Sequence, residues 1–315
     1  MKKLRKLGIL LVGLVFVLGV VSGCAGKKEE AKETPKAENQ EKKQLTIGLA
    51  VSTLNNPFFV DMKDGAQAAA DKMGAKLVVV DAQDDASKQV SQVENLIQQK
   101  VDVILLNPTD SDGLVTAVKD ANTANIPVIT LDRSVNGGTV ASHIASDNVA
   151  GGKMAAEYIL KQLNNKGNVV ELEGIAGTSA ARDRGKGFHD VMDAQQAVKI
   201  VAKQPADFDR SKGLTVMENI LQSQPEIQAV FAHNDEMALG AIQAIKASKR
   251  ENVMVVGFDG GADAVKAVND GTMAATVAQQ PKLIGEIGVQ TAEKVKKGEK
   301  VEASIPAELK LVTKQ

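Results

Sequence analysis

Two doubly wound parallel-sheet units of the α/β class are the architecture this sequence predicts, and three observations carry the prediction. Short β-branched runs alternate with longer helical patterns along most of the chain. Several runs are apolar throughout, as strands covered by helices on both faces of a parallel sheet must be. There is also a faint internal repeat. VILLNPTDSDGLVTAVKDA resembles AVFAHNDEMALGAIQAIKA, and VITLDRS resembles VVGFDGG. Each pair reads as a strand, a polar corner and a following helix, so two similar halves facing each other are expected. With 315 residues the chain is long enough for both.

In chain order the expected strands are LTIGLAV (45–51), KLVVV (76–80), VDVILL (101–106), PVITL (127–131) and NVVELE (168–173). VKIVAK (198–203), AVFA (229–232), VMVVGF (253–258) and AATVA (274–278) follow. Helices fill the gaps. Asn55-Asn56-Pro57 caps one, with proline at its first position, and Gly74 ends it. Ser111 or Asp112 starts another, which stops before Pro127. Pro281 opens a last long helix reaching about Gly298.

In open parallel sheets ligands bind outside the carboxyl ends of the strands. The residues found there are Asn56, Phe58 and Phe59 after the first strand, Asn107 after the third, and Asp132 with Arg133 after the fourth. Further on come Arg182 and Arg184, Phe208, Asn234, Asp259 and Gln279. The set combines bidentate donors, carboxylate acceptors, amides that do both, and aromatic faces. A sugar needs that mixture, because each hydroxyl both donates and accepts while the ring's C–H faces are apolar. Two arginines balance two aspartates, which favours a neutral polyol over an anion. Each residue has a plainer reading too. An aspartate at a strand end is often only a turn or cap residue, and Phe58 or Phe59 can be core. Arg182 and Arg184 point to different sides of a helix start, so one of them is expected to face a ligand.

The chain begins with a different kind of signal. Lys2, Lys3, Arg5 and Lys6 precede an apolar run from Gly8 to Val21, too short for a comfortable membrane span and ended by small residues. Residues 1–23 therefore read as an export signal. Val21-Ser22-Gly23-Cys24 resembles the bacterial lipobox, which implies lipidation of Cys24, the only cysteine; an intrachain disulfide is impossible. An anchor of this kind holds a protein on a membrane without spanning it. Residues 24–43 carry both charges and no large apolar side chain after Cys24, so a disordered tether is expected.

Several functions are disfavoured. Net charge is −1, without a basic footprint for nucleic acid. His143, His189 and His233 lack metal-ligand spacing, so no metal or other cofactor is expected. DAQDDASKQVSQ lacks the glycine and glutamate of a calcium loop. There is no GxGxxG after the first strand, no phosphate loop, and no GxSxG elbow around Ser179. Asp132 and Asp259 as a glycosidase pair conflicts with the arginines beside them, which should hold both ionised. The chain is expected not to be an enzyme.

STLNNPFF, NPTDSD, NIPVITLDR, SHIASDN, GIAGTSAAR, QPADFDR, NDEMALGA and VMVVGFDG, with AVNDG and KGEKV near the end, closely resemble the ribose-binding proteins of bacterial ABC importers. The resemblance covers nearly all of residues 44–315. It implies two Rossmann-like domains joined by a three-segment hinge, the type I fold of periplasmic binding proteins. It implies a first lobe of 44–146 plus 280–308 and a second of 147–279 plus 309–315. It places ligand residues at Asn56, Phe58, Phe59, Asn107, Asp132, Arg133, Arg184, Phe208, Asn234, Asp259 and Gln279. The implied partners are D-ribose, an ABC permease and, through it, an ATPase subunit, for a monomer held outside the cell membrane. Chemoreceptor docking is compatible with transport and stays open, as do other ligands such as allose, another pentose or a furanosyl signal. A repressor's effector core would share the fold, but the export signal argues against it. Two departures from the family pattern stand out. His233 occupies a position where glutamine is expected, and Gly260-Gly261 follows Asp259.

Overall fold

The computed structural model describes residues 44–250 and 252–314. The expected export signal, Cys24 and the tether lie outside the described residues. Among those residues, no helix is long and apolar enough to cross a membrane.

The first sheet opens with β1 (Thr46–Val51). Helix α1 (Pro57–Met73) leads to β2 (Lys76–Asp81), and α2 (Ala86–Gln98) to β3 (Val103–Leu106). Helix α3 (Val115–Thr123) leads to β4 (Val128–Leu131), and β5 (Ser142–Ser146) follows directly. The chain then crosses to the second sheet. Helix α4 (Asn148–Gln162) precedes β6 (Gly167–Glu173), α5 (Ser179–Met192), β7 (Val198–Pro205), α6 (Arg210–Ser223) and β8 (Ala229–Ala232). Then come α7 (Asp235–Ala247), β9 (Met254–Asp259), α8 (Ala262–Asp270) and β10 (Ala275–Ala278). Helix α9 (Pro281–Lys296) and β11 (Ser304–Ala307) return to the first sheet, and β12 (Lys310–Thr313) ends on the second.

The strand orders are β2-β1-β3-β4-β5-β11 and β7-β6-β8-β9-β10-β12, the same permutation twice. Order reverses between β1 and β3 and again between β6 and β8, which opens a crevice at each carboxyl edge. All pairings are parallel except β10 with β12. The repeat seen in the sequence is therefore real: β3 and α3 correspond to β8 and α7, and β4 to β9.

Each sheet is covered on both faces. Phe59, Met62 and Ile284 pack on one side of the first, and Leu96, Leu114 and Val118 on the other. The second sheet is sandwiched between a layer containing Met217, Met237 and Ala241 and one containing Ile159, Phe188 and Phe231. Burying each large apolar side chain contributes roughly 1.5–3 kcal/mol. Helices α4 and α5 cross almost in backbone contact. A Cβ at Gly152 would lie 2.1 Å from the Arg184 carbonyl oxygen, and one at Gly187 2.0 Å from that of Val149. That close approach sets the position of Arg184 relative to the cleft.

Most helix boundaries agree with the local signals. Asn56 caps α1 by accepting from the Phe58 N–H, Pro57 stands at its first position, and Gly74 closes it at φ +68°. Helix α3 differs. It begins at Val115, because Asp110 Oδ1 accepts from the N–H groups of Asp112 and Gly113 and winds residues 111–114 into a turn first. Strands β5, β11 and β12 were not anticipated as strands. Each is short, and β11 and β12 are peripheral, so none carries a long apolar run.

Candidate functional site

The carboxyl ends of the two sets of strands meet across a cleft. Nine of the eleven residues singled out from the sequence line one cavity there. Asn56, Phe58, Phe59, Asp132 and Arg133 come from the first sheet's side; Arg184, Phe208, Asn234 and Asp259 come from the second, with Ala180. The other two stand behind. Asn107 is fully buried and its side chain is used internally: Oδ1 accepts from Ser52 N–H and hydroxyl, and Nδ2 donates to Leu131 O and Asp132 Oδ2 at 3.3 Å. Gln279 Nε2 donates to Asp259 Oδ1 at 2.9 Å.

Backbone geometry marks the site. Asp132, Phe208 and Asp259 have φ of +63°, +59° and +117°. Positive φ is uncommon for residues with a Cβ and costs of order 1–3 kcal/mol where it is strained. The surrounding structure holds these conformations. Gly260 N–H donates to Thr276 Oγ1, and Gly261 N–H to Asp235 Oδ2 at 2.8 Å, fixing the turn immediately after Asp259. The second departure from the family pattern thus lies outside the cavity but shapes the residue that faces it.

The two arginines sit among rings. The Arg133 guanidinium lies 5.0 Å from the Phe59 centroid and 5.2 Å from that of Phe208, so rings from both sheets flank it. Arg184 lies 3.8 Å over Phe258. It donates from Nε to Asn148 Oδ1 and from Nη1 to His233 O, and pairs with Asp259 at 3.3 Å. Arg182, two residues away, is turned outward and donates to Gly177 O and Ser111 Oγ. One arginine of the pair faces the cavity, as the helix spacing implied. Asn148 and Phe258, which hold Arg184, carried no local signal in the sequence.

Phe58 and Phe59 satisfy both readings made of them. They pack edge to face, 5.2 Å apart, inside the first sheet's core while also walling the cavity.

At the two aspartates burial outweighs the arginines, so both carboxyls are shifted upward rather than down. Burial pushes the Asp259 carboxyl up to about 6, against the opposing pull of Arg184 and the hydrogen bond from Gln279. Burial also raises Asp132, with Arg133 and Arg184 opposing, and lowers Arg133. Asp235, behind the turn, is held well above the usual carboxylate range by burial and by the Asp259 charge. Desolvation wins because all these groups are nearly sealed from water.

Four buried polar atoms at the cleft have no hydrogen-bond partner among the described residues: Asp132 Oδ1, Arg133 Nε and Nη1, and Gln279 Oε1. Arg133 Nε lies 3.7 Å from Asp132 Oδ2, outside hydrogen-bond range. Buried donors and acceptors left over together suit a partner that both donates and accepts. Beyond the cavity the two sides touch directly. Ser111 N–H donates to Gly177 O at 3.0 Å, and Ser134 N–H to Ser179 Oγ at 2.9 Å.

Comparison with known proteins is consistent with this geometry. Residues 47–300 match the family model described as a periplasmic binding protein domain. The ribose import binding protein of Escherichia coli (strain K12) is 58% identical over 270 residues, covering 86% of this chain and 91% of that protein. Its counterpart in Bacillus subtilis (strain 168) is 51% identical over 304 residues, covering 96% and 99%. An ABC transporter solute binding protein from Mycobacterium smegmatis, solved with bound glycerol, matches with a TM-score of 0.83 and 37% identity over 86% of this chain and 94% of that one. An ABC transporter periplasmic solute binding protein from Actinobacillus succinogenes 130z, solved with bound D-allose, gives 0.81 and 32% over 86% and 98%. A cleft between two like-wound sheets, walled by arginine, aspartate and phenylalanine, thus comes with a family match over residues 47–300: this chain belongs to the periplasmic binding protein family.

Proposed function

We propose that this protein captures D-ribose in the cleft and delivers it to an ABC import permease, without chemical change to the sugar. The observation that carries the reading is the cavity itself. Asp132–Arg133 from one sheet face Arg184–Asp259 from the other, with phenylalanine rings between and unpartnered donors and acceptors turned inward. Sugar hydroxyls complete those hydrogen bonds, and the rings cover the C–H faces. The identities with ribose import binding proteins support ribose over other polyols.

In this reading the molecule is a hinged clamp. One lobe is 44–146 plus 280–308, and the other 147–279 plus 309–315, with the three chain crossings as hinge. A sugar contacting both lobes stabilises closure through contacts that exist only when they meet. All eleven residues named from the sequence serve the ligand, Asn107 and Gln279 by holding Asp132 and Asp259. The protein works as a monomer outside the cell, tethered through lipidated Cys24, and a permease with a separate ATPase subunit unloads it. Docking to a chemoreceptor is compatible with the same closed surface.

Calorimetric titration of residues 44–315 with D-ribose, against arabinose, xylose, allose and galactose, tests the reading. Tight one-to-one binding of ribose with no sugar consumed is expected. Preference for allose, the ligand of one structural relative, or for another sugar would overturn ribose and leave the clamp. Turnover of any sugar would overturn the capture role.

A further inference from the structure

Behind the second lobe's wall of the cavity lies a chain of titratable groups that the binding reading does not use. Glu171 on β6 is fully buried. Its Oε1 lies 2.9 Å from His233 Nε2, and its Oε2 lies 2.8 Å from His189 Nε2. His189 on α5 is 28% exposed, and its Nδ1 lies 3.1 Å from Asp193 Oδ1. The line therefore runs from solvent at His189, through Glu171, to His233 at the back of the cleft. Gly185 on α5 lets the helix lie against it: a Cβ there would be 3.3 Å from His233 Cε1 and 3.4 Å from Glu171 Oε1.

His233 touches the site at two points. Its carbonyl oxygen accepts from Arg184 Nη1 at 2.5 Å. Its Nδ1 accepts from the Gly174 N–H at 3.3 Å, so the ring carries its proton on Nε2 and donates it to Glu171. Gly174 in turn lies directly under Phe208; a Cβ on it would fall 2.0 Å from Phe208 Cζ. One imidazole is thus tied to the positions of an arginine and a ring that face the cavity.

We propose that Glu171, His189 and His233 are positioning residues for sugar binding: a hydrogen-bonded chain, charged through His189, that holds Arg184 and Phe208 in place. The proposal rests on the sugar-binding reading above. A buried carboxylate needs a compensating charge. Both nitrogens of His189 face carboxylates, so its doubly protonated form gives one N–H to Glu171 and one to Asp193. Burial lowers the His189 pKa, but the hydrogen bond to Asp193 and the Glu171 charge outweigh it and leave the group raised. Burial raises Glu171, yet its hydrogen bond with His233 and the charges around it bring it below its ordinary value. Burial lowers His233, which stays neutral. The other charged groups around His189 are Glu173 on β6, Lys203 on β7, and Lys186 and Arg182 on α5. Lys203 is paired with Glu173 at 3.0 Å and Lys186 with Asp190 at 2.7 Å, so neither is free to replace His189. A raised histidine contributes stability that is complete below its unfolded value and lost as pH rises through its folded value.

The test is a series of D-ribose titrations from about pH 6.5 to about pH 9, above the value of about 6 at which Asp259 changes charge and below the lysines. Wild type, His189→Gln and His233→Gln are compared, each with a thermal melt to show that it is folded. Wild-type affinity is expected to fall about threefold across the range, the low end of coupling energies between residues in one network. His189→Gln keeps an N–H for Glu171 but no charge, so it should bind with the high-pH affinity throughout. His233→Gln can still donate to Glu171 and accept from Gly174, and should keep the wild-type profile within about twofold. A flat wild-type profile, or an unchanged slope in folded His189→Gln, overturns the proposal. A wild type that does not bind D-ribose at any pH overturns the ribose reading, and this proposal with it.

Discussion

The two lobes solve one problem with different chemistry. In the first, Asn107 follows β3 and its Oδ1 accepts from the N–H of Ser52, the residue after β1. In the second, His233 follows β8 and its Nδ1 accepts from the N–H of Gly174, the residue after β6. The two side chains tie the same pair of strand ends at corresponding places. Their other ends diverge. Asn107 reaches sideways to Leu131 O and Asp132, and Gln89 seals the corner by donating to Asn107 O and accepting from Thr109. His233 reaches down to a buried carboxylate whose balancing charge stands at the surface. Support in the first lobe is made of neutral amides; in the second it is made of titratable groups. On the proposal above, a shared topology carries unequal sensitivity to pH.

Truncating the arginines should separate the lobes most strongly. Removing one partner of a buried hydrogen-bonded charge pair costs about 2–5 kcal/mol. Arg184→Ala should weaken ribose binding by that amount in calorimetry, and Arg133→Ala, where the arginine has no hydrogen bond to Asp132, by about 1.5–3 kcal/mol. Only Arg184→Ala should also lower Tm clearly, because Asn148 and Asp259 lose their partner, whereas Arg133 leaves two donors unused by the protein. Equal melting losses would break the comparison.

Acid pH should act next. Asp259 titrates near 6 in the folded protein, above a carboxylate's ordinary value, so the fold binds its proton first. As pH falls through about 6, this group's contribution to stability increases, while the carboxylate form proposed to bind sugar is lost. Ribose affinity should drop about fivefold between pH 6 and pH 5 if only the carboxylate form binds. Asp259→Asn should be weaker but free of that step, and a step that survives in the variant would assign it elsewhere.

Asn107→Ala should show a smaller effect, about 1–3 kcal/mol of stability, since it strands Ser52 and Leu131 O in a sealed corner. Its penalty measured by denaturant should be the same at pH 6.5 and pH 9, unlike any penalty that passes through His189. A pH-dependent cost would show that the first lobe too leans on charge.

Much of this was legible residue by residue. Apolar runs with caps between them identified nine strands, because burial on both faces leaves a composition that local reading detects. Nine residues that line the cavity could be named because parallel sheets carry their crevices at strand ends, a rule that needs only the strands. Three strands escaped. SHIAS alternates, SIPA contains proline, and KLVT is short; the pairings of β11 with β5 and of β12 with β10 are made with strands far away or not adjacent in sequence. Likewise, that Asn107 stands behind the cavity and Phe208 within it depends on neighbours that no local pattern specifies.

By itself, then, the sequence determined the fold class, the repeat and the inventory of polar and aromatic groups at the strand ends, because periodicity and capping are local physics. Only the tertiary structure decided which arginine faces the cleft, how far burial overrides the arginines at Asp259, and that Glu171 lies between two histidines distant in the chain. Those outcomes depend on desolvation and on contacts between elements, which exist only once both sheets are assembled.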